Sequence, residues 1–153
     1  MTLASRNIER ATRRLEVDSE DGADAPGLTG DVDERLGLAD RYLTEGRGSM
    51  ALRVLDPLAD EHPEHSGVRL LRGRALSSVG RHREARIDLE LSLAASPGDA
   101  AVLEALGRMY MYSGDQARAL YFLSRYLDRV DPAGSKKDLG STREIVGRLR
   151  TSQ

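Results

Sequence analysis

The chain is 153 residues long, 39% hydrophobic and 31% charged, with aromatic residues at only 4%. That length fits one domain with an appended segment, and a core of Leu, Ala and Val with few rings suits packed helices better than a β-sandwich. A net charge of -2 is too balanced for nucleic-acid binding by bulk electrostatics, and the lack of cysteine excludes disulfides, thiolate metal sites and thiol catalysis.

At the start of the chain, Leu3, Ile8, Ala11 and Leu15 mark one face of a short helix that also carries Arg6, Arg10, Arg13 and Arg14. No apolar leader core accompanies these arginines. The longest uncharged stretch, Leu91 to Gly98, is too short to cross a bilayer. The expected location is therefore the cytoplasm, without membrane insertion. From Glu16 to Glu34 every charge is negative, and Gly22, Pro26, Gly27 and Gly30 interrupt the run. Such a stretch buries too little apolar surface to offset its ordering entropy, which predicts a flexible acidic linker over 16–30. Residues 1–31 thus form an N-terminal segment of short helix plus linker.

The next hundred residues repeat themselves. Gly46, Gly80 and Gly114 are 34 residues apart, as are Ala51, Ala85 and Ala119, and the small residues Ala39, Gly73 and Gly107. Pro63 and Pro97 keep the same spacing, and Pro132 falls one residue late. Apolar residues at helical intervals fill the gaps: Leu38, Tyr42 and Leu43; Leu71, Ala75 and Leu76; Leu103, Leu106 and Tyr110. A small residue twelve positions before an alanine lets two antiparallel helices approach closely. A glycine between them ends the first helix in a left-handed turn, and the proline stops the second helix. Asp31 with Glu34 has capping-box spacing, and Asp99 precedes the third unit.

This small–Gly–Ala–Pro pattern at period 34 resembles the tetratricopeptide repeat. The resemblance covers units at 32–65, 66–99 and 100–133, two thirds of the chain. It implies an all-α, right-handed solenoid of three helix pairs. Three departures stand out. The family's early Trp is missing, Arg72 occupies a site that is usually large and apolar, and Pro57 falls inside the second helix of the first unit, where it should kink that helix or displace its start. Over 134–153 there is no fourth pair. Ile145, Val146 and Leu149 instead predict one amphipathic helix at about 141–151, with Ser141 and Glu144 at capping-box spacing, covering the open apolar face of the last repeat.

Motifs that carry chemistry are sparse. Gly46-Arg-Gly48-Ser-Met-Ala51 matches a dinucleotide loop on paper, but its flanks are helical and no βαβ unit is in sight. His62-Pro-Glu-His65 crowds imidazoles and carboxylates, yet Pro63 puts it in an inter-repeat turn rather than an ordered four-ligand site. His82 follows Gly80 where the family often has an aromatic residue, which predicts packing. No nucleophile, base and orienting acid converge. The expectation is no enzyme, no cofactor, no metal and no small-molecule substrate.

What the resemblance implies is a groove lined by the first helix of each pair, holding an extended or helical peptide. The family's groove positions fall on Leu36, Asp40 and Leu43; on Leu70, Arg74 and Ser77; and on Glu104, Arg108, Met111 and Tyr112. Arg74 and Arg108, 34 apart, either form a basic ladder for a carboxylate or are neutralised by Asp40 and Glu104. Co-chaperones of this family grip acidic C-termini with a Lys/Asn/Arg clamp, but Leu36, Asp40, Leu71, Ala101 and Ala105 stand at those sites, so that activity is not expected. Tyr110, Tyr112, Tyr121, Phe122 and Tyr126 all fall in the third unit. Tyr126 either packs beneath the final helix or anchors a partner, with Met109, Met111 and Tyr112 as an apolar lip. Arg69, Arg72, Arg74, Arg81, Arg83 and Arg86 gather in the second unit, where local ion pairs are the default and nucleic-acid binding is the weaker reading. The leading expectation is a protein-binding scaffold or adaptor for a segment of acidic or amphipathic character. A secretion chaperone of the type III kind is the alternative, and a second copy of the chain is an open partner.

Overall fold

The computed structural model describes residues 29–134 and 136–152. The helix and acidic linker expected over 1–28 lie outside the described residues. Among those described there are seven α-helices and no strand: α1 Val32–Thr44, α2 Gly48–Glu61, α3 Ser66–Ser78, α4 His82–Ala95, α5 Ala100–Tyr112, α6 Gln116–Val130 and α7 Gly140–Thr151, the last preceded by a 3-10 turn at Lys137–Leu139. Helix starts keep the sequence period: Val32, Ser66 and Ala100 are 34 apart, as are Gly48, His82 and Gln116.

Each hairpin turns in the same way. Gly46, Gly80 and Gly114 have φ of +72°, +83° and +83°, a conformation that costs a residue with a side chain energy. The glycine N–H bonds three residues back and the next N–H five residues back. In the first turn these are Gly46 to the Leu43 carbonyl at 3.0 Å and Arg47 to the Tyr42 carbonyl at 2.7 Å. That pair of bonds satisfies carbonyls left over at the end of α1. The starts of α1, α5 and α6 are capped by short side chains. Asp31, Asp99 and Asp115 accept backbone N–H groups at 2.8 to 3.0 Å. His65 does the same for α3, its Nδ1 accepting from Val68 at 3.3 Å, so half of the His62–His65 motif is a helix cap.

α1 with α2, α3 with α4 and α5 with α6 make the closest pairs, and α1, α3 and α5 also touch one another in succession. The small-residue column explains how close the pairs come. A Cβ added at Gly73 would lie 2.6 Å from Leu89 Cγ, and one at Gly107 would lie 2.6 Å from Leu123 Cγ. Leu55, Leu89 and Leu123 are themselves 34 apart and essentially fully buried. Ala51, Ala85 and Ala119 are completely buried, and the core is leucine, alanine and valine together with Met109, with Tyr110 as its one buried aromatic among the described residues.

Where the sequence departs from the repeat pattern, the structure supplies reasons. α2 runs unbroken through Pro57 and starts in register, so its start is not displaced. Arg72 is tolerated because Asp88, only 1% exposed, lies opposite it in α4. Arg72 donates through Nε at 2.6 Å and Nη2 at 3.1 Å, with Arg69 adding a third contact at 3.4 Å. α7 packs on α6, burying Val146 and Leu149, and Arg143 reaches back to the buried carboxylate of Asp131. Its start differs from expectation. Leu139 is the N-cap residue, with no side-chain bond, and Ser141 lies inside the helix.

Candidate functional site

The layer formed by α1, α3 and α5 carries an open pocket of about 270 Å³. Its walls are Leu43 from α1, Arg74, Ser77 and Ser78 from α3, and Ala101, Glu104, Ala105, Arg108 and Tyr112 from α5. Of the groove positions expected from sequence, Leu43, Arg74, Ser77, Glu104, Arg108 and Tyr112 come together here. Leu36, Leu70 and Met111 do not line it; they are half-buried and pack against the core. Asp40 stands outside the lining but holds one of its members. Ser78, Ala101 and Ala105 complete the walls; none was among the expected groove positions.

The two arginines face a shared space, and each is already paired. Arg74 donates to Asp40 across the α1–α3 boundary at 3.0 Å, and Arg108 donates through Nε to Glu104 one turn back at 2.9 Å. An uninterrupted basic ladder is therefore not what the site presents; it alternates cation and carboxylate. Burial by itself would pull the Arg108 guanidinium down, but the Glu104 hydrogen bond and charge, with Tyr112 beside it, outweigh that and hold it above its ordinary value. Ser77 is 9% exposed, and its hydroxyl oxygen is buried with no hydrogen-bond partner. Ser78, its neighbour, donates to the Ala75 carbonyl at 2.8 Å. Tyr112 is 60% exposed at the end of α5 and gives the pocket an aromatic rim.

The remaining aromatics divide between packing and surface. Tyr110 stacks on Phe122 with centroids 5.6 Å apart, and Phe122 meets Tyr121 edge-on at 5.0 Å. Tyr110 also donates to Glu90 at 3.3 Å, and burial, then the Glu90 charge, raises its phenol pKa. Tyr126 is half-buried, its phenol raised by burial and by the charge of Glu104, with Asp138 of the 3-10 turn contributing. The expected lip of Met109, Met111 and Tyr112 does not form as such. Met109 is 1% exposed because it falls on the core side of α5. On α4 and α6, Ile87, Leu91 and Tyr121 are exposed.

The arginines of the second unit are mostly spoken for. Arg69 and Arg72 hold Asp88, Arg74 holds Asp40, Arg81 donates to Glu84 at 2.8 Å, and Arg86 lies 3.9 Å from Glu90. In the GxGxxA stretch, Gly46 is the hairpin turn, Gly48 opens α2 and Ala51 is core. Neither feature gathers into a site.

Three helical hairpins in register with a closing helix, and an open pocket on the layer of first helices, define a tetratricopeptide-like repeat array. No protein-family model matches the sequence, and no curated protein matches it. Among solved structures, the chain is similar to the Yersinia enterocolitica type III secretion chaperone SycD, determined in complex with a peptide of the translocator YopD. The match has 16% identity and a TM-score of 0.65, covering 82% of this chain and 97% of that one. At that identity, the likeness is one of fold.

Proposed function

We propose that this chain is a non-enzymatic binding module that holds a segment of another protein along the layer of α1, α3 and α5, in the cytoplasm. The observation that carries the reading is the open pocket on that layer, walled by paired charges, a buried hydroxyl and an exposed tyrosine, with no nucleophile and base brought together. Such a surface offers hydrogen-bond donors, acceptors and apolar contact in alternation, which is what an extended peptide requires. Within this class, the narrower reading of a chaperone for an exported segment is supported by the likeness to a secretion chaperone solved with a translocator peptide. The internal pairing of the second unit's arginines weighs against nucleic acid as the partner.

A photo-crosslinking amino acid placed at Tyr112, and separately at Ile87 on α4, tests the reading in the native host. Partners identified by mass spectrometry should attach through position 112. Attachment through position 87 alone would move the binding surface off this layer and sink the proposal.

A further inference from the structure

The cleft between α3 and α5 is open because two repeats differ at matched positions. α5 packs on α3 as α3 packs on α1. In that register Ala105 stands where α3, 34 residues earlier, carries Leu71, which packs against the core. Ser77 likewise stands where α1 carries Leu43. The second unit meets its neighbour with a leucine, whereas the third meets it with an alanine, and about 270 Å³ stays open. A cavity of about 150 Å³ already holds a benzene-sized group, so this space admits a whole side chain.

The lining says which kind. Its charges are cancelled in place: Arg74 is paired with Asp40 at 3.0 Å and Arg108 with Glu104 at 2.9 Å, so no net charge calls for a counter-ion. Ser78 donates to the Ala75 carbonyl, and the Ser77 hydroxyl oxygen is buried beneath the wall, out of reach of a group in the cleft. The apolar part of the wall is Leu43, Ala101, Ala105 and Tyr112, extended by the methylene stems of the two arginines. An apolar group seated there leaves water and makes the contacts that Ala105 is too short to make. We propose that the cleft receives one aliphatic side chain of the bound segment, of about leucine size, which takes the place that Leu71 takes within the chain. Ala105 then sets the size of the side chain accepted. The guanidinium N–H groups not used by the two ion pairs suit the backbone carbonyls of an extended segment. This deepens the peptide-binding reading above and rests on it.

Random peptides about twelve residues long, displayed on phage, selected on the full chain and resynthesised, provide the probe. Selected sequences should carry Leu, Ile or Met at one fixed position, and changing that residue to Ala should weaken Kd by about tenfold or more. Ala105→Leu restores the side chain that α3 carries at Leu71, so it should fold, fill the cleft and bind the aliphatic and alanine peptides alike. Ala101→Leu, at an exposed part of the same wall, should lower the preference severalfold with unchanged helical content, and it serves as the test if Ala105→Leu fails to fold. Three results would overturn the aliphatic cleft while leaving peptide binding intact: wild-type protein binding both peptides equally, a fixed position held by Asp or Glu, or a full preference retained in the filled variant. A selection that yields no peptide, or only peptides that fail to attach to a crosslinker at position 112, would overturn both.

Discussion

Replacing Gly107 by alanine tests the closeness of α5 and α6 most directly, because two opposing effects can be separated. In a helix interior, alanine is better than glycine by about 1 kcal/mol. Here, though, the new Cβ would sit 2.6 Å from both Cγ and Cδ2 of Leu123 and 3.2 Å from its backbone nitrogen. Carbon atoms pack at about 3.5–4 Å, so the helices must separate or Leu123 must leave its rotamer, at roughly 1–3 kcal/mol. Gly107→Ala should therefore be neutral to destabilising by about 2 kcal/mol. Leu123→Ala removes the two clashing side-chain carbons, leaving only the backbone nitrogen at 3.2 Å, and, at a site 1% exposed, should itself cost about 3–5 kcal/mol. In that background the Gly107→Ala methyl enters vacated space, and the helix gain plus about 0.8 kcal/mol for its burial should stabilise the protein by about 1–2 kcal/mol. Urea unfolding of the four proteins reads this as a reversal of sign with a coupling of about 2–3 kcal/mol. If Gly107→Ala has the same effect with and without Leu123, the two residues do not meet and the pairing of α5 with α6 is misassigned.

Three further outcomes follow from named contacts. Asp88→Ala leaves Arg72 without its buried partner and should cost about 3 kcal/mol in urea unfolding, whereas Asp56→Ala, an exposed carboxylate 3.8 Å from the same arginine, should cost under about 1 kcal/mol. Ala85→Leu, at a fully buried helix contact, should lower the melting temperature markedly through overpacking of roughly 1–3 kcal/mol, and Ala133→Leu, exposed beyond the last hairpin, should leave it unchanged. The hydrogen bond from Arg35, then the Arg35 and His62 charges, hold the Glu61 carboxyl below the usual carboxylate range. A lowered native pKa contributes stability above the unfolded value and loses it as pH falls through the native one. The melting-temperature advantage of wild type over Glu61→Gln should accordingly be full at pH 7 and shrink as pH falls below the ordinary carboxylate range; an advantage that does not shrink on acidification would mean the ion pair is not its source.

What was legible in the sequence was what a short-range constraint dictates. A hairpin with a left-handed residue at one fixed place can hardly use anything but glycine, so Gly46, Gly80 and Gly114 announce the period. Asp31 and Asp99 announce helix starts because short acceptors reach backbone N–H groups. His65 performs the same task without belonging to the usual capping residues, and Ser141 has the right spacing without performing it, because the chain enters α7 through a 3-10 turn. The leucine column at 55, 89 and 123 keeps the period as faithfully as the glycines. Leucine is common in every helix here, though, so its pairing with Ala39, Gly73 and Gly107 becomes visible only when the facing helix is in place. Arg72 read as a misfit for the same reason: its partner Asp88 is sixteen residues on, in another helix.

The candidate site was legible by column and hidden in its details. The resemblance to the tetratricopeptide repeat assigns one face of each first helix to a groove, which is enough to bring Arg74, Ser77, Glu104, Arg108 and Tyr112 into view. Such an assignment names a face, and it carries no information on depth. Leu36 and Leu70 share the column of Glu104, yet they are drawn inward against the core, because an apolar side chain gains by turning away from water where a carboxylate does not. The pairing of charges is likewise set between helices, since Asp40 meets Arg74 only when α1 lies against α3. A binding pocket in a repeat array is a place where one unit fails to fill the volume that its neighbour fills. Ala105 against Leu71 and Ser77 against Leu43 are such failures, and they show up in the differences between units rather than in the likeness that reveals the fold.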